Sequence, residues 1–237
     1  MNPRTRHAAL THVGLKRRLN EDAILAMPEA GVWAVSDGMG GHAGGDYASQ
    51  TVVEAIAALP PGDAGDRMRG LREAAAGAHA AIRTEAERRQ ADTMGATLAA
   101  LLLSDHHFAV FWAGDSRIYR LRRGLLEMLT ADHSLVGELV AAGQMGWDEA
   151  EEHPQSNVVT RAVGVGEALD LDKVRGDTAA GDRFLLCSDG LTKYAREHTL
   201  RRILSSAPIE RVASDLLDVA LAGGAADNVS VIVVDVL

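Results

Sequence analysis

Two apolar runs in this chain, GATLAALLLS (95–104) and FAVFWAGDS (108–116), are separated by only three residues, DHH. Each has the length and composition of a buried strand, so the gap between them decides how they can pair. A connection that short joins antiparallel neighbours, because a parallel pair needs a crossover of roughly a dozen or more residues. The chain repeats the device at once: IYRL (118–121), RRG (122–124) and LLEML (125–129) again read as strand, turn, strand. Consecutive hairpins of this kind predict antiparallel sheet and leave no room for a parallel, doubly wound core in this stretch.

Helical periodicity flanks the hairpins. Residues 46–58 place Ala48, Val52, Ile56 and Leu59 at helical spacing with Asp46 as the expected N-cap, and residues 67–90 carry Met68, Leu71, Ala75, Ala78 and Ile82 on one face. Between them LPPGDAGD (59–66) breaks the chain but is too short to link domains. Further strands are expected near 170–175, 183–188 and in VSVIVVDV (229–236), with helices near 196–205 and 209–222. The expectation is one α+β domain over residues 1–237, antiparallel sheet with helices packed outside it.

Composition excludes several function classes. The formal net charge of −9 argues against nucleic acid as the main partner, which requires a basic face. The single cysteine, Cys187, rules out an internal disulfide framework and a cysteine-rich zinc site, and its place inside RFLLC makes it a small buried hydrophobe. No apolar run approaches the ~18 residues of a membrane span, and the first residues carry no secretory signal, so no membrane insertion and a cytoplasmic address are expected. Monomer is the default for oligomeric state.

The segment VWAVSDGMGGHAGGDYAS (32–49) poses the functional question: a strand ends in Asp37 and is followed by a run of glycines. Gly38, Gly40 and Ala43 fit the dinucleotide pattern G-x-G-x-x-A, but that pattern belongs to a parallel βαβ unit, and Asp37 would face a pyrophosphate of the same sign. The other answer is a metal. RFLLCSDGLT (183–192) again ends a strand in Ser-Asp-Gly, FAVFWAGDSR (108–117) ends one in Gly-Asp-Ser, and Asp227 and the pair Glu21-Asp22 stand where strands begin. Any one of these is an ordinary turn aspartate. Gathered at one end of the sheets they would repel one another and raise their own pKa values unless cations intervened. Oxygen-only donors point to Mg²⁺ or Mn²⁺, and a glycine after each aspartate would let a carbonyl or water approach the ion. Arg17, four residues before Glu21, is the candidate fork for a phosphate.

These segments come in a characteristic order: G-x-x-R-x-x-N-E-D (14–22), SDGMGGHAGG (36–45), TMGAT (93–97), GDSR (114–117), TADHS (130–134), NVVTRAVG (157–164), SDGLT (188–192) and DN (227–228). Together they resemble the bacterial type 2C, metal-dependent serine/threonine protein phosphatases (the PPM family), over nearly the whole chain. The resemblance implies a four-layer α/β/β/α sandwich of two antiparallel β-sheets flanked by helices, with two Mn²⁺ or Mg²⁺ ions at one end. It implies Asp37 as the ligand bridging both ions, Gly38 as a carbonyl ligand, and Asp189 and Asp227 as ligands of the second ion. Glu21 and Asp22 match the acidic pair that holds ion-bound waters and the nucleophile, Arg17 the phosphate-binding arginine, and Asp115 a ligand of a third, weaker ion. Residues 135–156 match a mobile flap. Phosphorylated proteins are the implied substrates, and a cognate serine/threonine kinase in bacterial signalling is the implied opposing enzyme.

Two positions depart from the pattern. Lys193 stands where many relatives have an aspartate that helps hold the third ion, so that site is expected to be weak or absent. Met39 stands where eukaryotic relatives have the histidine that protonates the leaving group, which leaves an ion-bound water or His42 for that task, or an unaided departure. A structural role for His42 in the loop is the preferred expectation. The rival reading is a regulator that keeps the fold and binds phosphoproteins with little catalysis; it requires a broken carboxylate set, and every expected ligand is present.

Overall fold

The structure, a computed structural model, describes residues 3–40 and 44–237. His42 and Ala43 therefore lie outside the described residues. In chain order the strands are β1 (Thr5–His12), β2 (Asp22–Met27), β3 (Val32–Met39), β4 (Gly95–Ala96), β5 (Leu98–Ser104), β6 (His107–Ala113), β7 (Arg117–Arg122), β8 (Leu125–Met128), β9 (Asp172–Asp177), β10 (Arg183–Cys187) and β11 (Val229–Val236). The helices are α1 (Gly45–Ala57), α2 (Ala64–Arg89), α3 (Leu135–Ala141), α4 (Trp147–Ala150), α5 (Asp189–Thr192), α6 (Glu197–Ser206) and α7 (Ile209–Gly223).

One sheet runs β1-β11-β10-β7-β8, the other β2-β3-β5-β6-β9 with β4 paired to β3. All pairings between these strands are antiparallel. The two hairpins expected from the sequence are β5–β6 and β7–β8, but they stand in different sheets, so the chain crosses between sheets at Gly114-Asp115-Ser116. The antiparallel neighbours of β3 also remove the setting a dinucleotide loop requires.

Alternation along the strands builds three apolar layers. Trp33, Val35, Leu101, Val110, Phe184, Ile232 and Val234 pack between the sheets. Their immediate neighbours point outward: Val32 and Ala34 meet Val52, Ile56, Leu71 and Ile82 of α1 and α2, while Val231 and Val233 meet Leu200, Val212 and Leu216 of α6 and α7. Both faces of the central strands are covered, which is why they read as near-continuous apolar runs. The result is the four-layer α/β/β/α sandwich. Cys187 is fully buried in the α6/α7 layer, and burial pushes its thiol up to about 12.

Three local expectations are corrected. Asp46 is not an N-cap: α1 begins at Gly45 with Gly44 as its N-cap, no side chain caps it, and the Gly44 and Gly45 N–H groups both donate to the Gly40 carbonyl at 3.1 Å. Helix α2 begins at Ala64 rather than 67, because Asp63 and Asp66 form a reciprocal capping box inside the Pro/Gly break (Asp66 N–H to Asp63 Oδ1, 2.8 Å). Strand β1 was not expected at all. TRHAALTH is polar, and only its pairing with the apolar β11 makes it a strand, at the edge of its sheet.

Candidate metal centre

The carboxylates singled out in the sequence converge at one end of the sandwich. Asp22 and Asp37 face each other across the β2–β3 ladder. Asp115 lies in the crossover after β6, Asp189 opens α5 directly after β10, and Asp227 precedes β11. A cleft of about 490 Å³ is lined by Arg17, Glu21, Asp37, Gly38, Asp115, Asp189, Lys193 and Asp227, with Met39 and Thr97 beside them and Asn157 to Val159 forming part of the wall. Asp22 is set beneath this lining, 8% exposed, and accepts a hydrogen bond from Ser188 Oγ at 2.8 Å.

The electrostatics are those of a buried carboxylate cluster. Burial, and then repulsion from Asp22, Asp189, Asp115 and Asp227, holds the Asp37 carboxyl well above its ordinary range. Asp115 is raised by burial and by Asp189 and Asp132, and Asp22 by burial and by Asp189 and Asp227 despite its hydroxyl partners. Glu21 is raised by burial, against the opposing pull of Arg17 and the Gly45 N–H. Two protein cations answer part of the charge. Arg17 Nη2 donates to Asp227 Oδ2 at 2.8 Å, and Lys193 Nζ lies 2.6 Å from Asp189 Oδ2. Burial opposes the charge on Lys193, but Asp189, with Asp227 and Asp115, outweighs it and the ammonium pKa is raised.

The donor set fits hard divalent cations. The Oδ1 atoms of Asp22 and Asp189 are buried without a hydrogen-bond partner, and a buried carboxylate oxygen left in that state is costly unless something else binds it. Among the described residues no group of three or more His, Cys, Asp or Glu side chains already stands in a metal-holding array. Asp189 and Asp227 are instead engaged by Lys193 and Arg17.

The glycines that follow Asp37 and Asp189 also let backbone segments pack closely. A Cβ on Gly38 would stand 2.1 Å from the Gly45 carbonyl oxygen, and one on Gly190 would stand 1.9 Å from that of Asn228. The missing side chains let neighbouring backbone segments close on each other, which brings the carboxylates to one place.

Several residues that position the cleft had no assigned role in the sequence argument. Asn228 Oδ1 accepts the Glu21 N–H at 2.8 Å, and its Nδ2 donates to the carbonyls of Val13 and Leu19, both at 2.9 Å. It thereby pins the loop that carries Arg17 to the start of β11. Thr97 Oγ1 accepts the Asp37 N–H at 2.9 Å and lies 2.7 Å from Ser116 Oγ, tying the end of β3 to the crossover that carries Asp115. Ser188, beneath Asp22, closes the set. All four, Ser116 included, lie inside the quoted motifs, so residue type at a motif position was the available signal; their partners lie up to 215 positions away and could not be read.

Three lines of comparison agree with this architecture. The family model described as Protein phosphatase 2C matches residues 15–222. The serine/threonine protein phosphatase PstP of Mycobacterium tuberculosis is 38% identical over 234 residues, covering 98% of this chain and 45% of its own length. The chain thus spans about half the length of that relative. Among solved structures, PppA, described as a key regulatory component of T6SS in Pseudomonas aeruginosa, is 42% identical with a TM-score of 0.92, covering 100% of this chain and 99% of its own. A PstP catalytic domain solved in complex with two manganese ions is 35% identical with a TM-score of 0.86, covering 98% of both chains. With a carboxylate cleft at one end of a double antiparallel sandwich, and family resemblance running through nearly every motif that builds it, this chain belongs to the protein phosphatase 2C family.

Proposed function

We propose that this chain is a protein phosphatase that hydrolyses phosphoserine and phosphothreonine monoesters on protein substrates, with two Mn²⁺ or Mg²⁺ ions held between Asp37, the Gly38 carbonyl, Asp189 and Asp227. The observation that carries this is the meeting of Asp37, Asp115, Asp189 and Asp227 in one cleft, with Asp22 beneath them and Arg17 on the wall. When bound there, divalent ions supply Lewis acidity, acidifying a water and neutralising phosphoryl oxygens. The chain's own residues do the rest. Arg17 offers a planar fork to the phosphoryl group. Glu21 and Asp22 stand as acceptors that orient water, the Glu21 backbone fixed by Asn228 and the Asp22 carboxylate by Ser188. Met39 lines the cleft and can donate no proton to the leaving oxygen.

The reading extends to one catalytic domain over residues 1–237, with residues 135–156, which hold α3 and α4, acting as a flap beside the cleft. The chain works as a cytoplasmic monomer opposite a serine/threonine kinase in signalling. Among the described residues no helix is long and apolar enough to cross a membrane. The deciding experiment measures hydrolysis of p-nitrophenyl phosphate and of a phosphothreonine peptide with Mn²⁺, with Mg²⁺ and with EDTA. Phosphate release with metal that stops in EDTA is the expected result. Metal-independent release, or none on either substrate, rejects the proposal.

A further inference from the structure

Two cations stand on the cleft wall, and each is already in use. Arg17 holds Asp227 Oδ2 at 2.8 Å, and Lys193 holds Asp189 Oδ2 at 2.6 Å. Lys193 sits four residues after Asp189, at the end of the single turn of α5, and its side chain is 20% exposed. It lines the same cleft as Arg17. The other oxygen of Asp189, Oδ1, is buried with no hydrogen-bond partner, so the ammonium satisfies only half of that carboxylate. A divalent ion that takes Asp189 puts two positive charges beside the ammonium. Attraction to Asp189 then gives way to repulsion from the ion, and a flexible four-carbon stem lets the ammonium move. The anion that enters the cleft with the ions is the phosphoryl group.

Resting on the phosphatase reading above, we propose that Lys193 is a second phosphate-binding side chain, held on Asp189 in the metal-free protein and passed to the phosphoryl oxygens when a divalent ion takes that carboxylate. Lys193 and Arg17 then approach the phosphate from two ligand carboxylates they previously occupied. Metal occupancy and phosphate affinity become linked through the chain's own cations: metal binding frees the ammonium, and bound phosphate relieves the repulsion between ammonium and ion.

The test uses calorimetric titration of Mn²⁺ into the wild type, Lys193→Met and Lys193→Arg, then of inorganic phosphate into each Mn²⁺-saturated protein. Loss of a competing cation predicts that Lys193→Met binds Mn²⁺ several-fold more tightly in the absence of phosphate. Loss of a phosphate ligand predicts that the same variant binds phosphate about fivefold or more weakly, with Lys193→Arg staying within about twofold of the wild type. A structural role alone would weaken both affinities together, and that result overturns the proposal. So does wild-type phosphate affinity in Lys193→Met. Lys193→Gln, which keeps a hydrogen-bond donor without the charge, repeats the measurement should the Met variant not fold. If the wild type hydrolyses phosphomonoesters while these affinities are unmoved, only the role of Lys193 fails. If the wild type shows neither Mn²⁺ binding nor hydrolysis, the phosphatase reading and this inference fall together.

Discussion

Arg117 offers a sharp test of how the cleft is supported, because its guanidinium is almost out of solvent and ties three elements together. Its side chain is 9% exposed and that of Asp132 is 3% exposed. Nε donates to both carboxylate oxygens of Asp132 at 3.0 Å, and Nη2 donates to Oδ2 at 2.8 Å. Nη1 reaches Glu151, between α4 and the end of the proposed flap, at 2.8 Å, and the guanidinium lies 4.2 Å from the ring centroid of Trp147 in α4. Arg117→Met leaves Asp132 buried and unpaired, a change that costs about 3–5 kcal/mol when one partner of a buried ion pair is removed. For a domain of this size that is a fall in Tm of roughly 6–20 °C by calorimetry. The loss depends on pH in a defined sense. Burial already holds the Asp132 carboxyl above its usual range, with Arg117 pulling it down. Without Arg117 its folded-state pKa rises further, so the variant loses stability as pH rises above the unfolded carboxylate value of about 4 and recovers some of it in acid. Glu151→Gln keeps the Asp132 pair and gives up about 1 kcal/mol, and its effect should appear mainly as faster proteolysis within 135–156. A Tm for Arg117→Met within 2 °C of the wild type, near the lower limit of about 2 °C per kcal/mol, would refute the reasoning.

Other outcomes follow from the same geometry. Asp37→Asn should lower metal-dependent turnover by ~10³-fold or more, measured on p-nitrophenyl phosphate, since it removes the proposed bridging ligand. Mn²⁺ at about a hundred times its Kd should add roughly 2.7 kcal/mol per site, read as a rise in Tm of about 5–10 °C that EDTA reverses. Away from the cleft, Asp182 is buried, yet bonds from Arg122 at 2.6 and 2.5 Å and the Ala179 N–H at 2.8 Å hold its pKa below the usual carboxylate value. A depressed folded-state pKa gives stability that is present above the unfolded value and lost as pH falls through the folded one. Asp182→Asn should therefore flatten acid denaturation below about pH 4 while leaving the curve's shape above it unchanged.

What the sequence made legible was whatever local spacing dictates. The three-residue gap after Ser104 set the antiparallel pairing, and period-3.6 apolar positions placed α1 and α2 to within a few residues. Strand-end aspartates named the cleft before any fold was known. Elements whose identity depends on a distant partner were not legible. β1 is polar and becomes a strand only against β11. Arg117, Thr97 and Asn228 stood inside recognised motifs, but nothing local shows that Thr97 receives the Asp37 N–H or that Asn228 pins the loop of Arg17.

The glycines of the two Ser-Asp-Gly turns make this distinction testable. Read locally, Gly190 clears space for an ion, and an added methyl group would crowd only the metal. In the fold, a Cβ at that position meets the carbonyl oxygen of Asn228 at 1.9 Å, a contact with backbone that cannot rotate away. Either α5 moves, carrying Asp189 and Lys193, or the start of β11 moves, carrying Asp227 and the Asn228 contacts that hold Glu21 and the loop of Arg17. Both responses separate Asp189 from Asp227. Gly190→Ala should therefore cost about 1–3 kcal/mol as an overpacking change and weaken Mn²⁺ affinity at least tenfold, although no proposed ligand is altered. Lower stability with unchanged Mn²⁺ affinity would mean that the turn is not what sets the separation of the two carboxylates. The glycine would then matter to the fold alone.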